Sequence, residues 1–446
     1  MTFPISEATP IRFSGPLPKA CEVVVLGGGI MGVMTAWYLA EAGVKVVLCE
    51  KGRVAGEQSS RNWGWIRQQG RDPGELPIMI ESLRLWQGLA AEFGAGLGFR
   101  QEGVMYTALT EAEMAGFEDW RRHAVENQVN TVMLTADQIK AHIPGHAAPW
   151  VGGMFTASDA RAEPWVAVPM LAAGAVARGA VIVENCAVRR LDVAGGRVIG
   201  VYTEQGRIAC EQVVVAGGAW SSLFLRAEGV NIPQLSVLAS VAQTEAMPEV
   251  FAGNAADENF AFRRRQDGGY TIAPGQHHDF YIGPDAFRHF GKYIPTLRND
   301  FRKTKFRPVS PSGFPDAWGT KRRWQADDQS PFERLRVLNP APNMATLART
   351  CDHFAAALPG IGRPKIKSAW AGMIDTMPDV VPILDRAPIG GLVIATGLSG
   401  HGFGIGPGFG RVIADIVRGR ATGHDLSRFR FGRFGDGSKL DVAKGL

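Results

Sequence analysis

The chain has 446 residues, of which 48 are Lys or Arg, 43 are Asp or Glu and 5 are Cys, and this length predicts two domains. The basic residues are mostly dispersed, which disfavours a nucleic-acid-binding protein and favours an enzyme whose arginines bind anions. An odd number of cysteines without a C-x-x-C pair argues against a disulfide framework and a zinc site, and indicates a reducing compartment.

The N-terminus, MTFPISEATPIRFSGPLPKA, predicts an irregular leader over residues 1–19. Prolines interrupt it, and it contains no apolar core of the length found in signal peptides. No segment of the chain approaches the roughly 20 apolar residues that a membrane span needs. The sequence therefore predicts a soluble cytoplasmic protein without a membrane anchor.

The segment EVVVLGGGIMGVMTAWYLAEAGVKVVLCEK predicts a buried strand, a helix and a second strand. Gly27, Gly29 and Gly32 fit the G-x-G-x-x-G pattern, which allows a tight turn, a close pyrophosphate and a helix packed against the sheet. Glu50 lies 18 positions after Gly32 (50 − 32), about where an acid accepts hydrogen bonds from a ribose. These features predict a dinucleotide at the helix N-terminus. The cofactor-binding residues predicted here are Gly27, Gly29, Ile30, Met31, Gly32, Glu50 and Lys51.

The next segment, GRVAGEQSSRNWGWIRQQGRD, is predicted to be neither strand nor helix. Two tryptophans among short polar residues indicate a loop around a large, flat ligand with polar edges. Nicotinamide-dependent dehydrogenases usually continue with further βαβ units, whereas this chain returns to the nucleotide domain only much later. The order of elements thus favours FAD over NAD, and a nicotinamide-dependent dehydrogenase is the alternative.

The chain returns to the nucleotide domain twice. In the first return, a helix from Pro164 to Gly179 precedes a hairpin and the buried strand QVVVAGG. The two glycines at the end of this strand lie where a cofactor would sit. In the second return, the strand GLVIATG leads into a glycine-rich loop, LSGHGFGIGPGFG, and then the helix RVIADIVRG. The positive end of that helix would face the flavin.

Between the returns, NFAFRRRQDGGYTIA predicts a hairpin with Asp-Gly at its turn. We therefore predict an α/β fold (α+β overall), in which a Rossmann-like FAD-binding domain is interleaved with a mostly antiparallel substrate domain. The FAD-binding domain is predicted to comprise residues 20–75, 151–235 and 362–446, and the substrate domain residues 76–150 and 236–361.

The segments GGGIMG, GEQSSRNWGWIRQQGRD, FRRRQDGGYTI, WAGMIDTMPDVVPILD and GLSGHGFGIGPG carry a resemblance to a known family. From about Glu22 to Gly419 the chain resembles the D-amino-acid-oxidase superfamily of FAD enzymes. EQSSRNWGW and GLSGHGFGIGPG most resemble segments of bacterial L-amino acid oxidases and deaminases. The deaminases usually carry an N-terminal membrane anchor, from which this sequence departs, so the resemblance implies an oxidase that uses O2.

The resemblance implies that an L-amino acid gives its Cα hydrogen as hydride to flavin N5. The imino acid hydrolyses to an α-keto acid and ammonia, and O2 reoxidises the flavin to give H2O2. The protein mainly orients the substrate, so no catalytic acid or base is assigned. The flavin is expected to be non-covalent, because Gly372 stands where sarcosine oxidases have the linking cysteine. A homodimer is also implied, and oxidation of a D-amino acid or an N-methyl amine is the alternative.

The resemblance extends the predicted cofactor site. Ser59 to Asn62 would lie near the pyrophosphate and ribityl chain, and Gly64 with Trp65 would reach the isoalloxazine. The further predicted cofactor-binding residues are Gln58, Ser59, Ser60, Arg61, Asn62, Gly64, Trp65, Val188, Gly217, Trp220, Gly397, Gly400, His401, Gly402, Phe403 and Gly404.

Two arginines are candidates for binding the substrate carboxylate. Arg67 aligns with the carboxylate-binding arginine of sarcosine oxidases, and Arg263 lies in a hairpin similar to the one that carries this arginine in L-amino acid deaminases. Strand alternation places Arg263 and Arg265 on one face and Arg264 on the other. The alternative for this triplet is a solvated edge strand. The three consecutive arginines also suggest nucleic-acid binding as an alternative function. Trp370 is the predicted aromatic wall.

Overall fold

A computed structural model describes residues 4–275, 277–301 and 303–442. In this part of the chain the strands are β1 (Val23–Leu26), β2 (Val46–Cys49), β3 (Trp65–Ile66), β4 (Val104–Ala108), β5 (Thr131–Thr135), β6 (Gly152–Thr156), β7 (Ala160–Arg161), β8 (Val181–Val183), β9 (Val188–Ala194), β10 (Arg197–Thr203), β11 (Gly206–Ala209), β12 (Gln212–Val215), β13 (Leu235–Thr244), β14 (Asn254–Ala256), β15 (Ala261–Arg264), β16 (Tyr270–Ala273), β17 (His278–Tyr281), β18 (Thr304–Arg307), β19 (Ile366–Thr376), β20 (Ile383–Arg386) and β21 (Leu392–Thr396).

The α-helices of the same residues are α1 (Ile30–Glu41), α2 (Gln58–Arg61), α3 (Leu76–Phe93), α4 (Glu111–Glu126), α5 (Ala136–His142), α6 (Pro164–Ala177), α7 (Ser221–Ala227), α8 (Pro284–Asp300), α9 (Pro331–Arg334), α10 (Met344–Ala357) and α11 (Gly402–Val417).

A six-stranded sheet has the order β20-β21-β12-β1-β2-β8. Its pairs are parallel except for β20 with β21. All four residues of β1 are buried, as expected for a strand covered on both faces. The sheet thus combines strands from three separated parts of the chain, and the predicted α/β, Rossmann-like architecture is confirmed.

The larger sheet has the order β18-β17-β13-β16-β15-β14-β4-β6-β5, and β19 also pairs with β13. Its pairs are antiparallel except for β14 with β4 and β17 with β18. The strands β6 and β19 belong to this sheet, although they lie inside the ranges predicted for the FAD-binding domain. We therefore propose that residues 152–156 and 366–376 are assigned to the substrate domain.

The prediction of a loop over LSGHGFGIGPGFG was wrong from Gly402 onward, because α11 begins at that residue. A Cβ on Gly406 would overlap the Ile30 side chain, and one on Gly410 would overlap Met34. These glycines are spaced by one helical turn and lie on the face that packs against α1. Their function is close helix packing rather than a flexible loop.

Residues 4–19 contain neither helix nor strand, while the first three residues of the predicted leader and the last four of the predicted FAD-binding domain lie outside the described residues. Ile5 is buried in the core. Arg61 donates to the Ile5 carbonyl at 2.9 Å, and Arg53 donates to the Thr9 carbonyl at 2.6 Å. These contacts hold the leader against the segment that follows β2. Within the described residues, no helix combines the length and apolarity needed to cross a membrane.

Candidate active site

A cleft of about 970 Å³ opens at the carboxyl ends of β1, β2, β12 and β21. Parallel sheets bind ligands at this edge. The predicted cofactor-binding residues that line the cleft are Gly27, Gly29, Ile30, Met31, Glu50, Lys51, Gln58, Ser59, Val188, Gly217 and Trp220.

The cleft entrance fits a pyrophosphate. A Cβ on Gly27 would overlap the Ala216 carbonyl oxygen, and a Cβ on Gly32 would overlap that of Gly27. Only glycine therefore allows α1 to start this close to the sheet. The first turn of α1 contains no acidic residue and has no side-chain N-cap, although Ile30 N donates to Ser59 Oγ at 2.9 Å. The remaining N–H groups and the helix dipole are available to phosphate oxygens.

Glu50 is placed to accept hydrogen bonds from a ribose. Its Oε2 accepts from Gly28 N at 2.6 Å, and its Oε1 accepts from Gly52 N at 2.7 Å. Burial raises the pKa of Glu50 to about 7, against the lowering effect of Lys51 and these two backbone donors. Each oxygen has remaining lone-pair capacity, so a pair of ribose hydroxyls could donate to this carboxylate.

Lys51 forms part of the wall beside Glu57 and Trp220. Its Nζ lies 2.7 Å from Glu57 Oε1 and 4.4 Å from the centre of the Trp220 ring. The Trp220 indole donates to the same carboxylate at 3.1 Å. Because these groups bind one another, they give the cleft a fixed wall of one ammonium, one carboxylate and one aromatic ring.

Several cleft residues were missed by the sequence analysis. Glu57 lies inside the quoted GEQSSRNWGW segment, and Asp375 lies inside WAGMIDTMPD, so both could have been considered. Asp375 Oδ2 accepts from Gly397 N at 2.7 Å, and burial raises the pKa of Asp375. Gly218 belongs to the glycine pair that follows β12, whereas no sequence pattern distinguishes Ser221 and Thr396, which also line the cleft, from ordinary turn residues.

Ser60 and Arg61 were predicted to lie near the pyrophosphate and the ribityl chain, but neither residue lines the cleft. Arg61 is 2% exposed, and its guanidinium donates to Asn339 Oδ1 at 2.7 Å and to the Ala371 carbonyl at 2.9 Å. Ser60 is completely buried. In the single turn of α2, the first two residues face the cleft and the last two face the interior. The side chain of Asn62 closes this turn by accepting from Gly64 N at 2.8 Å.

The glycine-rich segment contributes less to the cleft than predicted. The Phe403 ring is buried 5.2 Å from the Trp86 ring, and the Gly404 carbonyl accepts from Trp86 Nε1 at 2.8 Å. Both residues therefore face α3. Gly397 and Gly400 have φ angles of +84° and +83° and form the turn into α11. Gly402 is the first residue of α11.

Trp65, Arg67, Tyr106 and His401 form an inner wall beyond the cleft. The Trp65 and Tyr106 rings are 6.1 Å apart, and the Arg67 guanidinium lies 5.8 Å from the Tyr106 ring. Among the described residues, the Arg67 guanidinium makes one hydrogen bond, to the Gln69 carbonyl. Trp65 Nε1 is buried without a partner there. Burial and the positive charge of Arg67 lower the pKa of His401 well below its usual range, so this imidazole is neutral.

Arg263 was predicted to bind the substrate, but its guanidinium is already bound by the protein. The Glu163 carboxylate accepts hydrogen bonds from both terminal nitrogens of Arg263, at 3.0 and 2.9 Å, and the Trp63 carbonyl accepts from Nε at 2.6 Å. Arg263 and Arg265 share Thr271 Oγ1, while Arg264 lies on the opposite face over the Tyr270 ring. All three side chains are largely buried, which contradicts both the solvated edge and the nucleic-acid surface.

Trp370 is 1% exposed, and its Nε1 donates to the Arg61 carbonyl at 2.9 Å. Its indole therefore packs against the segment that carries α2. Trp370 was predicted to form an aromatic wall, whereas the structure places it behind the cleft.

The fold and the cleft define an FAD-binding oxidoreductase. A family model described as DAO, FAD dependent oxidoreductase, matches residues 22–416, and the chain belongs to this family. The chain is 24% identical over 434 residues to the sarcosine oxidase subunit beta of Rhizobium meliloti (strain 1021), covering 96% of this chain and 91% of that one. The protein is thus an FAD-dependent oxidoreductase.

Among solved structures, the chain is similar to the L-amino acid deaminase from Proteus myxofaciens in complex with anthranilate. The TM-score is 0.91 with 30% identity, covering 97% of each chain. The glycine oxidase from Geobacillus kaustophilus shares the fold at a TM-score of 0.74 and 20% identity, covering 93% of this chain and 99% of that one.

Proposed function

We propose that the protein oxidises L-α-amino acids, with release of an α-keto acid and ammonia. The observation that carries this proposal is the whole-chain similarity to the L-amino acid deaminase from Proteus myxofaciens, at a TM-score of 0.91 and 30% identity. The deaminase from Proteus vulgaris is similar at a TM-score of 0.89 and 28% identity. The sarcosine oxidase subunit beta of Rhizobium meliloti, at 24% identity over 434 residues, represents a second substrate class.

We propose Arg67 as the residue that binds the substrate carboxylate. It is 9% exposed and has free donors, whereas the donors of Arg263 are bound by Glu163 and Trp63. A guanidinium provides two parallel donors that match the two carboxylate oxygens. Trp65 and Tyr106 beside it exclude water, which strengthens this ion pair.

Bound FAD supplies the acceptor for the electrons of the substrate Cα–H bond. Arg67 would fix the carboxylate, so that Cα takes one orientation relative to the cleft. Because His401 is neutral, it does not compete with Arg67 for the substrate carboxylate as a second positive charge. The inner wall thus needs to position and desolvate the substrate, and no general base is assigned.

Oxidation of N-methyl amino acids is the second candidate, because the sarcosine oxidase subunit beta of Rhizobium meliloti matches 96% of this chain. A panel of L-amino acids, D-amino acids and N-methyl amino acids separates the candidates. L-Amino acid oxidation yields ammonia and an α-keto acid, whereas demethylation of sarcosine yields formaldehyde. Turnover of sarcosine with formaldehyde release, and none of L-amino acids, would contradict the proposal.

We further propose that O2 reoxidises the flavin with formation of H2O2, and that the protein is a cytoplasmic homodimer. Stopped-flow mixing of the reduced enzyme with O2 tests the acceptor, since a dehydrogenase would react with O2 only slowly and would form H2O2 at the same low rate. Light scattering tests the homodimer, and cell fractionation tests the location.

A further inference from the structure

A second cavity, of about 820 Å³, lies between α10 and the strands β13, β17 and β18. It shares no lining residue with the flavin cleft. On α10, Thr346, Arg349, Thr350 and His353 line it at the spacing of one helix face. This part of the molecule takes no part in the proposed reaction.

The cavity has a marked excess of basic side chains. Those that line it are His277, His278, Lys303, Lys305, Arg349 and His353. Its single lining carboxylate, Asp279, already accepts from Asn343 Nδ2 at 3.0 Å and lies 3.5 Å from an Arg307 nitrogen. Among the described residues, neither Lys305 nor Arg349 forms an ion pair. Positive charge in a concave site attracts anions more strongly than on a flat surface.

The start of α10 adds to this field. Asn343 and Thr346 line the cavity, and the Asn343 side chain caps the helix by accepting from Thr346 N at 3.2 Å. Ser240 Oγ fixes the cap by accepting from Asn343 N at 2.8 Å. The positive end of this 14-residue helix therefore lies at the cavity.

A further carboxylate, that of Asp257, lies near the cavity. Asp257 lies close enough to His353 for that residue to lower its pKa slightly against the raising effect of burial. Its oxygens, however, accept from Trp150 Nε1 at 3.0 Å and from the backbone N–H groups of Asn259 and Phe260. Lys305 and Arg349 thus remain the lining charges without an ion-pair partner among the described residues.

We propose that this cavity binds a small soluble molecule with two or more anionic groups, such as a phosphate ester or a polycarboxylate. Arg349 on α10 and Lys305 on β18 approach from two sides, so a ligand with two anionic groups can contact both. Serine, threonine and asparagine groups between them provide neutral donors for the remaining oxygens. The proposal does not depend on which amino acid the enzyme oxidises.

Isothermal titration of the FAD-loaded protein with inorganic pyrophosphate and with citrate, at 150 mM salt, tests this site. We expect one binding site per chain, and we expect Arg349→Glu and Lys305→Glu each to weaken binding by about tenfold or more, because a charged donor becomes a repelling carboxylate. Arg84→Glu makes the same charge change at an exposed position outside the cavity and should leave the affinity unchanged. Unchanged flavin spectra would show that all variants are folded.

Absence of binding of both probes at millimolar concentration would overturn the proposal. Equal affinities in wild type, Arg349→Glu and Lys305→Glu would overturn it as well. A flotation assay with phosphatidylglycerol vesicles completes the test. Binding to vesicles without binding of either soluble probe would assign the basic groups to a membrane surface and contradict a small-molecule site.

Discussion

The carboxylate of Glu163 and the guanidinium of Arg263 face each other in a two-pronged ion pair, with side chains that are 4% and 0% exposed. Burial alone would raise the pKa of Glu163, but the charge of Arg263 and its hydrogen bonds lower it overall. Glu163 immediately precedes α6, and Arg263 belongs to β15. The pair therefore joins a helix that covers the nucleotide sheet to the substrate sheet.

Removing one member of this pair should destabilise the fold. In Arg263→Met the Glu163 carboxylate stays buried without its partner, which costs about 3–5 kcal/mol. Denaturant unfolding should show this loss, and Glu163→Leu in the same chain should restore most of it. Arg264→Met is the matched control, because its ion-pair partner Glu249 is 55% exposed at 3.4 Å. A stable Arg263→Met with a selective loss of kcat/KM would show that Arg263 binds substrate after all.

Arg67→Ala should lower kcat/KM for amino acids by about one to two orders of magnitude. Hydrogen bonds to charged groups contribute about 1.5–3 kcal/mol, and 1.4 kcal/mol corresponds to tenfold. The flavin content should stay at the wild-type level, since Arg67 does not line the cleft. Steady-state kinetics with a neutral L-amino acid measures the effect, and an unaffected Arg67→Ala would refute the assignment.

Gly29→Val should yield a colourless protein. A side chain at this position would project towards Ser59 Oγ, 3.1 Å from the added Cβ, and into the path of the pyrophosphate. Gly88→Val is the control, because no atom lies within 4 Å of a Cβ added at this exposed position in α3. Absorbance at flavin wavelengths relative to 280 nm measures the cofactor content. Equal content in both variants would mean that the pyrophosphate lies elsewhere.

Glu50 should make the apoprotein less stable as the pH rises. The carboxyl titrates at about 7 in the fold against an ordinary value of 4.5. Its contribution is therefore present below the lower value and lost as the pH rises through the higher one. FAD affinity should increase over the same interval, because the ionised carboxylate accepts from the ribose. Glu50→Gln should lack both dependences in unfolding and fluorescence titrations, and parallel curves for the two proteins would contradict this explanation.

The flavin should leave the protein completely on acid precipitation. From the resemblance to sarcosine oxidases, Gly372 is predicted to stand at the position of their linking cysteine, and the chain has no cysteine after Cys351. Cys351 is completely buried in α10. Yellow colour that remains with the pellet would show a covalent bond from another residue.

The first βαβ unit could be predicted because its information is local. The strand, the glycines and Glu50 all lie within 30 residues (21–50). The partner of Arg263 could not be predicted in this way. Alternation identified its face of the strand, but Glu163 is 100 positions away in the chain and reaches it only through the fold. The surroundings of Arg61 were missed for the same reason, since its acceptors other than the Gly56 carbonyl lie more than 270 positions later or in the leader.

The strand order of the nucleotide sheet also has a consequence for biosynthesis. β1 lies at the centre of the sheet, but its neighbour β12 is followed by β21 only at Leu392–Thr396. At a translation rate of about 5–20 residues per second, roughly 20–70 seconds separate the synthesis of β1 from that of β21. During this time the edge of β12 that later pairs with β21 has no strand partner. FAD can therefore bind only near the end of synthesis, shortly before the chain is released from the ribosome.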